Sequence, residues 1–327
     1  MYVGSPRFWT QTGFLAASLF TGLHFHRFAV SLGDEAFPLV TRPAEVDAWL
    51  PISSFTSLLY LLKSGVANTV HPAGLVFFTV ILLLAVTVRR GFCSWVCPVG
   101  TLSEWGHRWG RRLFGKTFDL PRVPDMLLRS VKYLLLAFFV VMIAGMSAEG
   151  LHAFIHGTYN RVCDLKMYAL FARPSVTTLT VVSALAALSV GIRNFWCRYL
   201  CPYGALLGLA SVPSPVAVRR DAHGCTGCGR CTRACPNRIA VARRTVVRSP
   251  ECTACGACVE ACPEPEALRL GPAAKGRRLT PTAYAVVTLA ALVLLPHAFR
   301  ALGYWDSDTP PATYRRYFSR LSEVAHP

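Results

Sequence analysis

Five apolar segments, at residues 8–32, 72–88, 131–146, 176–192 and 281–299, constrain this chain more than any other feature. Each is near the roughly 17–25 residues that a helix needs to cross a bilayer. Lipid offers the backbone no hydrogen-bond partners, so segments of this kind are expected to cross as helices. A mean hydropathy of +0.40 and 53% hydrophobic residues over 327 positions are too apolar for an ordinary soluble domain. The first segment is the most polar, carrying Gln11, His24, His26 and Arg27. A cleaved leader is its rival reading, but no small-residue cleavage site precedes His24, so a retained helix is expected.

The net charge of +17 admits nucleic acid or membrane as its cause, and its distribution decides. Residues 89–132 carry nine Lys and Arg and residues 193–281 carry fourteen, whereas residues 32–72 carry only Arg42 and Lys63. Basic residues gathered on alternate loops follow the positive-inside rule, so they set topology and no nucleic-acid partner is expected. The N-terminus is then cytoplasmic, the five spans alternate, and the tail from Ala301 to Pro327 lies outside. Residues 54–63, in the outer loop, read as a helix whose Leu58, Leu59, Leu61 and Leu62 would lie on the membrane surface or, equally, pack against the spans.

A repeat follows the second and fourth spans. Phe92-Cys93-Ser94-Trp95-Val96-Cys97-Pro98-Val99-Gly100 aligns with Trp196-Cys197-Arg198-Tyr199-Leu200-Cys201-Pro202-Tyr203-Gly204. Both read aromatic-Cys-x3-Cys-Pro-x-Gly, so residues 1–204 are expected to form a membrane domain of two parallel hairpin repeats. Residues 205–275 lose long apolar runs and gain Cys, Gly and Arg, which marks a small cytoplasmic domain; residues 276–327 supply the fifth span and outer tail.

Within residues 205–275, Cys225-x2-Cys228-x2-Cys231-x3-Cys235-Pro236 recurs as Cys252-x2-Cys255-x2-Cys258-x3-Cys262-Pro263. Three thiolates on a tight loop can cap three corners of an iron–sulfur cubane, and in this pattern the fourth cysteine serves the other cluster. The first [4Fe–4S] cluster would take Cys225, Cys228, Cys231 and Cys262; the second, Cys252, Cys255, Cys258 and Cys235. Four thiolates also suit zinc, but two complete runs each closed by Cys-Pro are specific to the two-cluster arrangement. Gly227, Gly229 and Gly256 let backbone N–H groups approach the sulfurs. Val241, Val246 and Val247 suggest a short hairpin between the runs. These thiols imply a reducing compartment.

Cys93 and Cys97 share a helix face at i and i+4, as do Cys197 and Cys201, so four thiols could converge. Three readings stand open: an additional Fe or Fe–S site, a redox-active dithiol, or reduced cysteines that only pack. Arg90 and Arg198 nearby would favour thiolates. Towards the outer face lie His24, His26, Arg27, His71, His152 and His156, a candidate quinol site whose imidazoles could also ligate haem. Each histidine alone is more readily an interfacial hydrogen-bonding residue, and only the group marks the site. Cys163, the odd thiol of thirteen, is expected outside, free or paired with a partner chain.

The paired Cys-x3-Cys-Pro motifs followed by the double run resemble the membrane polyferredoxin family. That family includes the NapH quinol dehydrogenase subunit, the MauN maturation protein, the C-terminal half of the NosR regulator and the CcoG oxidase-assembly proteins. The resemblance covers residues 75–265 and implies an α-helical multi-pass protein of a bacterial or archaeal cytoplasmic membrane. It also implies an inserted α+β two-cluster ferredoxin domain. Electrons would pass between the quinone pool and a partner redox enzyme or carrier; the alternative is an electron-supplying assembly factor for a periplasmic metalloenzyme or its cofactor. Either way the chain would be a redox subunit rather than a stand-alone enzyme. It departs from the family pattern in its fifth span and in a tail bearing Trp305, Asp306, Asp308, Tyr314, Arg315 and Arg316.

Overall fold

A computed structural model describes residues 4–33, 38–273, 277–321 and 323–324; Lys275 and tail residues 322 and 325–327, invoked above, lie outside the described residues. Helices carry most of the chain. The first nine are α1 (Pro6–Gly33), α2 (Pro51–Ser64), α3 (Pro72–Val88), α4 (Phe92–Trp95), α5 (Pro98–Phe114), α6 (Arg122–Ala144), α7 (Ala148–His156), α8 (Thr158–Arg161) and α9 (Cys163–Ala172). There follow α10 (Val176–Gly191), α11 (Pro202–Ala210), α12 (Arg230–Ala234), α13 (Ala257–Glu260), α14 (Pro281–Ala301) and α15 (Pro311–Phe318).

A helix stands on each of the five apolar segments: α1, α3, α6, α10 and α14. Among the described residues, α6 and α14 are long and apolar enough to cross a membrane, and α9 with α10 qualify as a third only as a pair bent by 78°. Helix α3 is a shorter apolar helix of 17 residues. Helix α6 starts at Arg122 rather than at residue 131, because the i,i+4 pair of Asp125 and Arg129, 2.7 Å apart, extends it into polar sequence.

The chain divides into two compact units, each assembled from three segments. One comprises Met1–Leu15, Ile81–Ala137 and Ser183–Ala291; the other comprises Ala16–Val80, Phe138–Val182 and Leu292–Pro327.

In the first unit the cysteine-rich region forms an antiparallel sheet of β1 (Ala217–Arg220), β2 (Val246–Val247) and β3 (Leu268–Gly271), with β1 in the middle. Val218 sits opposite Val247 on one side and Leu270 on the other, and all three are buried. No local hairpin joins the two cysteine runs among the described residues. Val241 lies in a short 3-10 turn, while Val246 and Val247 pair with β1, whose Val218 gives them an apolar partner. Helices α12 and α13 each follow a cysteine loop and are opened by glycines in left-handed conformation, Gly229 (φ 68°) and Gly256 (φ 75°).

In the second unit α2 packs against α7. Its buried face is hydroxylated: Ser54, Thr56 and Ser57 donate to the carbonyls of Leu50, Ile52 and Ser53 at 2.7–2.9 Å, which satisfies them within their own helix. Its leucines are half-buried or exposed, Leu62 most of all. A second core joins Phe25 and Phe28 of α1 to Val46, Leu165 and Tyr314.

Candidate functional site

Four cysteines line one cavity of the first unit. Cys252, Cys255 and Cys258 come from the second run and Cys235 from the first, with an apolar wall of Val218, Ile239, Val241 and Val247. This is the set the spacing assigns to the second cluster. Cys252 and Cys258 are buried. Burial pushes the Cys235 thiol up to about 11 and raises Cys252 and Cys258 as well. Iron binding would therefore have to displace protons from thiols that otherwise stay neutral. Backbone N–H groups face the sulfurs, with Ile239 N–H donating to Cys235 Sγ at 3.4 Å.

These residues fit a [4Fe–4S] cluster on two counts. The four thiols line one shared cavity, so they can serve a single group. Beside Cys252 lies the fully buried Arg89, whose Nε and Nη1 have no hydrogen-bond partner. A buried cation is costly unless an anion compensates it, and a cluster held by four thiolates carries negative charge.

The loop bearing this set is held by the residues around the first Cys-x3-Cys-Pro motif. Arg89 Nη2 donates to Ser249 O (2.9 Å), Arg90 Nη1 to Pro250 O (3.2 Å), Ser94 Oγ to Thr253 O (2.7 Å) and Trp95 Nε1 to Ala254 O (3.1 Å). Glu251, next to Cys252, accepts from Lys132 Nζ and Tyr133 OH, both at 2.7 Å. Burial pushes the Glu251 carboxyl up, but Lys132 and Arg90 pull it below the ordinary glutamate value, so it stays charged.

The other set is more open. Cys228 is exposed, Cys225 and Cys262 are half-buried, and Cys231 is buried. A hydrogen bond from the Gly227 backbone, with help from Arg220, holds Cys225 below its ordinary value. The Arg230 backbone does the same for Cys228. Both effects favour thiolate ligands.

The two Cys-x3-Cys-Pro motifs share one backbone geometry. Cys97 N–H reaches back five residues to Phe92 O (2.8 Å), and Cys201 N–H to Trp196 O (3.0 Å). Each second cysteine then starts a helix, with its proline at the first helical position. The motif glycines make room: a Cβ on Gly100 would lie 2.2 Å from Cys93 O, and one on Gly204 2.7 Å from Arg90 Nη2. All four thiols are close enough to feel one another. Burial and then Cys93 push Cys97 up to about 12, and burial with its three thiol neighbours raises Cys197 well above its ordinary value. Arg90 Nε lies 3.4 Å from Cys93 Sγ. Cys93 and Cys197 also line a pocket with Cys255 of the cluster-two set. Arg198 instead pairs with Asp125 at 2.6 Å.

The histidines of the candidate quinol site, all in the second unit, occupy separate neighbourhoods. His26 Nδ1 meets Tyr168 OH at 2.7 Å, and His24 faces Phe20 beside the exposed Arg27. His152 and His156 stack at 4.1 Å, with Tyr60 against His152. His71 is buried and uses both nitrogens, Nδ1 to Asp47 (2.9 Å) and Nε2 to Asn160 O (2.7 Å), with Cys163 Sγ 3.6 Å away. Burial would lower its affinity for a proton, but Asp47 and Cys163 raise it well above the ordinary histidine value. Arg42 bridges Asp47 and Asp164, and Tyr314 OH donates to Asp164 (3.2 Å). No spacing signal in the sequence marks Arg42, Asp47 or Asp164, because this network is assembled from distant segments.

Eight cysteines in two ferredoxin-type runs, four of them lining one cavity, on a chain with apolar helices of membrane-crossing length, define the class: a membrane iron–sulfur protein. A family described as a 4Fe–4S binding domain matches residues 70–117 and 175–220, and a 4Fe–4S dicluster domain matches residues 217–263. The chain is 37% identical over 329 residues to YccM of Escherichia coli, named for electron transport, covering 97% of this chain and 90% of that protein. It is 30% identical over 191 residues to the ferredoxin-type protein NapH of Escherichia coli, covering 57% of this chain and 61% of that one. Against the methylamine utilization ferredoxin-type protein MauN of Methylorubrum extorquens it is 30% identical over 199 residues, 59% of this chain and 63% of that one. No solved structure matches it. The chain belongs to the membrane polyferredoxin family.

Proposed function

We propose that this chain passes electrons between the quinone pool and a partner redox enzyme, as a subunit of a quinol dehydrogenase-type system. The observation that carries the reading is the four-bond attachment of the Ser249–Ala254 carbonyls to Arg89, Arg90, Ser94 and Trp95. It fixes the cluster-two thiols beside the Cys-x3-Cys-Pro pair, as rapid electron exchange would need. Two [4Fe–4S] clusters bound by the eight cysteines supply the one-electron chemistry. Cys225, Cys228, Cys231 and Cys262 hold the first, and Cys252, Cys255, Cys258 and Cys235 the second. Cys93, Cys97, Cys197 and Cys201 form an additional Fe or Fe–S site, a reading that rests on the mutual closeness of their thiols and on Arg90 beside Cys93.

Helices α1, α3, α6, α10 and α14 are the spans, with the N-terminus and residues 205–275 cytoplasmic and the tail outside. The concentration of Lys and Arg in residues 89–132 and 193–281 supports this orientation. A quinol site on the outer side would use one of two groups, His24, His26 and Arg27 or His152 and His156; His71 has both nitrogens engaged in the buried network. Anaerobic EPR with added quinol tests the reading. Reduction of the cluster signals by quinol supports it. Reduction only by dithionite overturns it in favour of a low-potential assembly factor for a periplasmic metalloenzyme or its cofactor.

A further inference from the structure

The two cluster sets differ in what surrounds them. The loop of the second set has its carbonyls occupied by α4 and the residues just before it. The loop of the first set turns outward: residues 221–224 and 226–228 are exposed, Cys228 among them. Arg233 Nη2 donates to Cys228 O (3.0 Å), His223 N–H to Asp221 Oδ1 (3.1 Å), and Asp221 N–H ties the start of the loop to Ala267 O (2.9 Å).

A basic rim encloses this opening. Arg230 and Arg233 are exposed, and Arg220 reaches Cys225. Residues 217–271 carry nine arginines against five carboxylates, of which Glu251 is bound by Lys132 and Glu266 pairs with Arg278. Asp221 is the carboxylate within the loop itself. The segment contains no Phe, Tyr or Trp and exposes no large apolar side chain, so it offers neither a broad stacking platform for single-stranded nucleic acid nor a wedge for lipid. A thiol site open to solvent inside a positive rim is built for a charged partner that docks briefly.

We propose that the face carrying Cys225 and Cys228, rimmed by Arg220, Arg230 and Arg233, is the docking surface for a small acidic electron-carrier protein. The inference rests on the electron-transfer reading and names the partner at its exposed end. The partner's carboxylates meet the three guanidiniums and bring its redox group to the open thiol loop, while the second set remains shielded.

The test uses the full chain in phosphatidylcholine nanodiscs, with a strongly acidic flavodoxin as the probe and association measured at low and high salt. The expected result is binding that weakens steeply with salt and falls on the order of tenfold in R230E/R233E. R230E alone, at an exposed position, should give part of that loss. R219E/R248E is the control: Arg219 alternates with Arg220 on β1 and so faces the other side of the sheet. It should leave binding within about twofold of wild type, as expected for charges outside a docking surface. Unchanged binding in R230E/R233E, equal losses in both double variants, or salt-independent binding overturns the proposal. Iron content and dithionite-reduced EPR on the same samples separate the two levels. Intact signals with unchanged binding refute the docking surface alone, and absent signals in wild type refute the reading beneath it as well.

Discussion

Replacing Glu251 by Gln should be among the most damaging single changes outside the cysteines. Its carboxylate lies 2.7 Å from Lys132 Nζ, whose side chain is fully buried, and 4.0 Å from Arg90, also buried. Removing one partner of a buried pair costs about 3–5 kcal/mol, because the remaining charge is left without a counterion. E251Q strands two cations and should fall at the upper end of that range. K132M should cost less, since Arg90 and the Tyr133 hydroxyl still hold the carboxylate. In K132M/E251Q the stranded ammonium is gone, so the double variant should recover about 1–3 kcal/mol relative to the sum of the singles. Denaturant unfolding in detergent, with iron retention measured alongside, gives all three values. Additive losses, or an E251Q no worse than K132M, would refute the argument that this network secures the cluster-two loop.

Other outcomes follow from single contacts. Gly100→Ala should destabilise by about 1–3 kcal/mol and lower metal loading, because its Cβ would fall 2.2 Å from Cys93 O. Trp95→Phe removes the bond to Ala254 O and should cost about 1 kcal/mol in unfolding experiments. Ala254 has φ 49°, so Ala254→Gly should be neutral or stabilise by up to about 1 kcal/mol, read from the same unfolding midpoint. Burial pushes Glu104 up, but Arg7 at 2.5 Å and Arg108 at 2.7 Å hold it below the ordinary glutamate value of 4.5. A depressed carboxylate contributes stability above its unfolded pKa and loses it as pH falls through its folded one. The stability gap between wild type and Glu104→Gln should therefore be constant above pH 4.5 and shrink below it.

How legible the site was depended on whether the signal was local. The cysteine runs are local, since their spacing fixes three ligands on one loop; the glycines at 227, 229 and 256 do take the positive φ that such loops need. Ala254 also takes positive φ, and alanine carries no sequence signal of left-handed backbone. The length of the apolar runs placed helices on all five long segments but could not fix their ends, as α6 shows, where polar i,i+4 pairing extends the helix beyond the apolar run. The hairpin expected from Val241, Val246 and Val247 failed because β1, from upstream of the first run, competes for the same strand. Long-range polar networks left no trace in spacing. Neither Lys132 with Glu251 nor Arg42 with Asp47 and Asp164 is apparent before the chain is folded.

The most direct test of the account is an iron and acid-labile sulfide count on anaerobically purified full-length protein, joined to EPR of the dithionite-reduced sample. Two four-iron clusters require about eight irons per chain and signals from interacting [4Fe–4S] centres, with a clear excess of iron if the Cys93, Cys97, Cys197 and Cys201 set is also loaded. A chain that holds zinc instead, or no sulfide, would contradict the central claim.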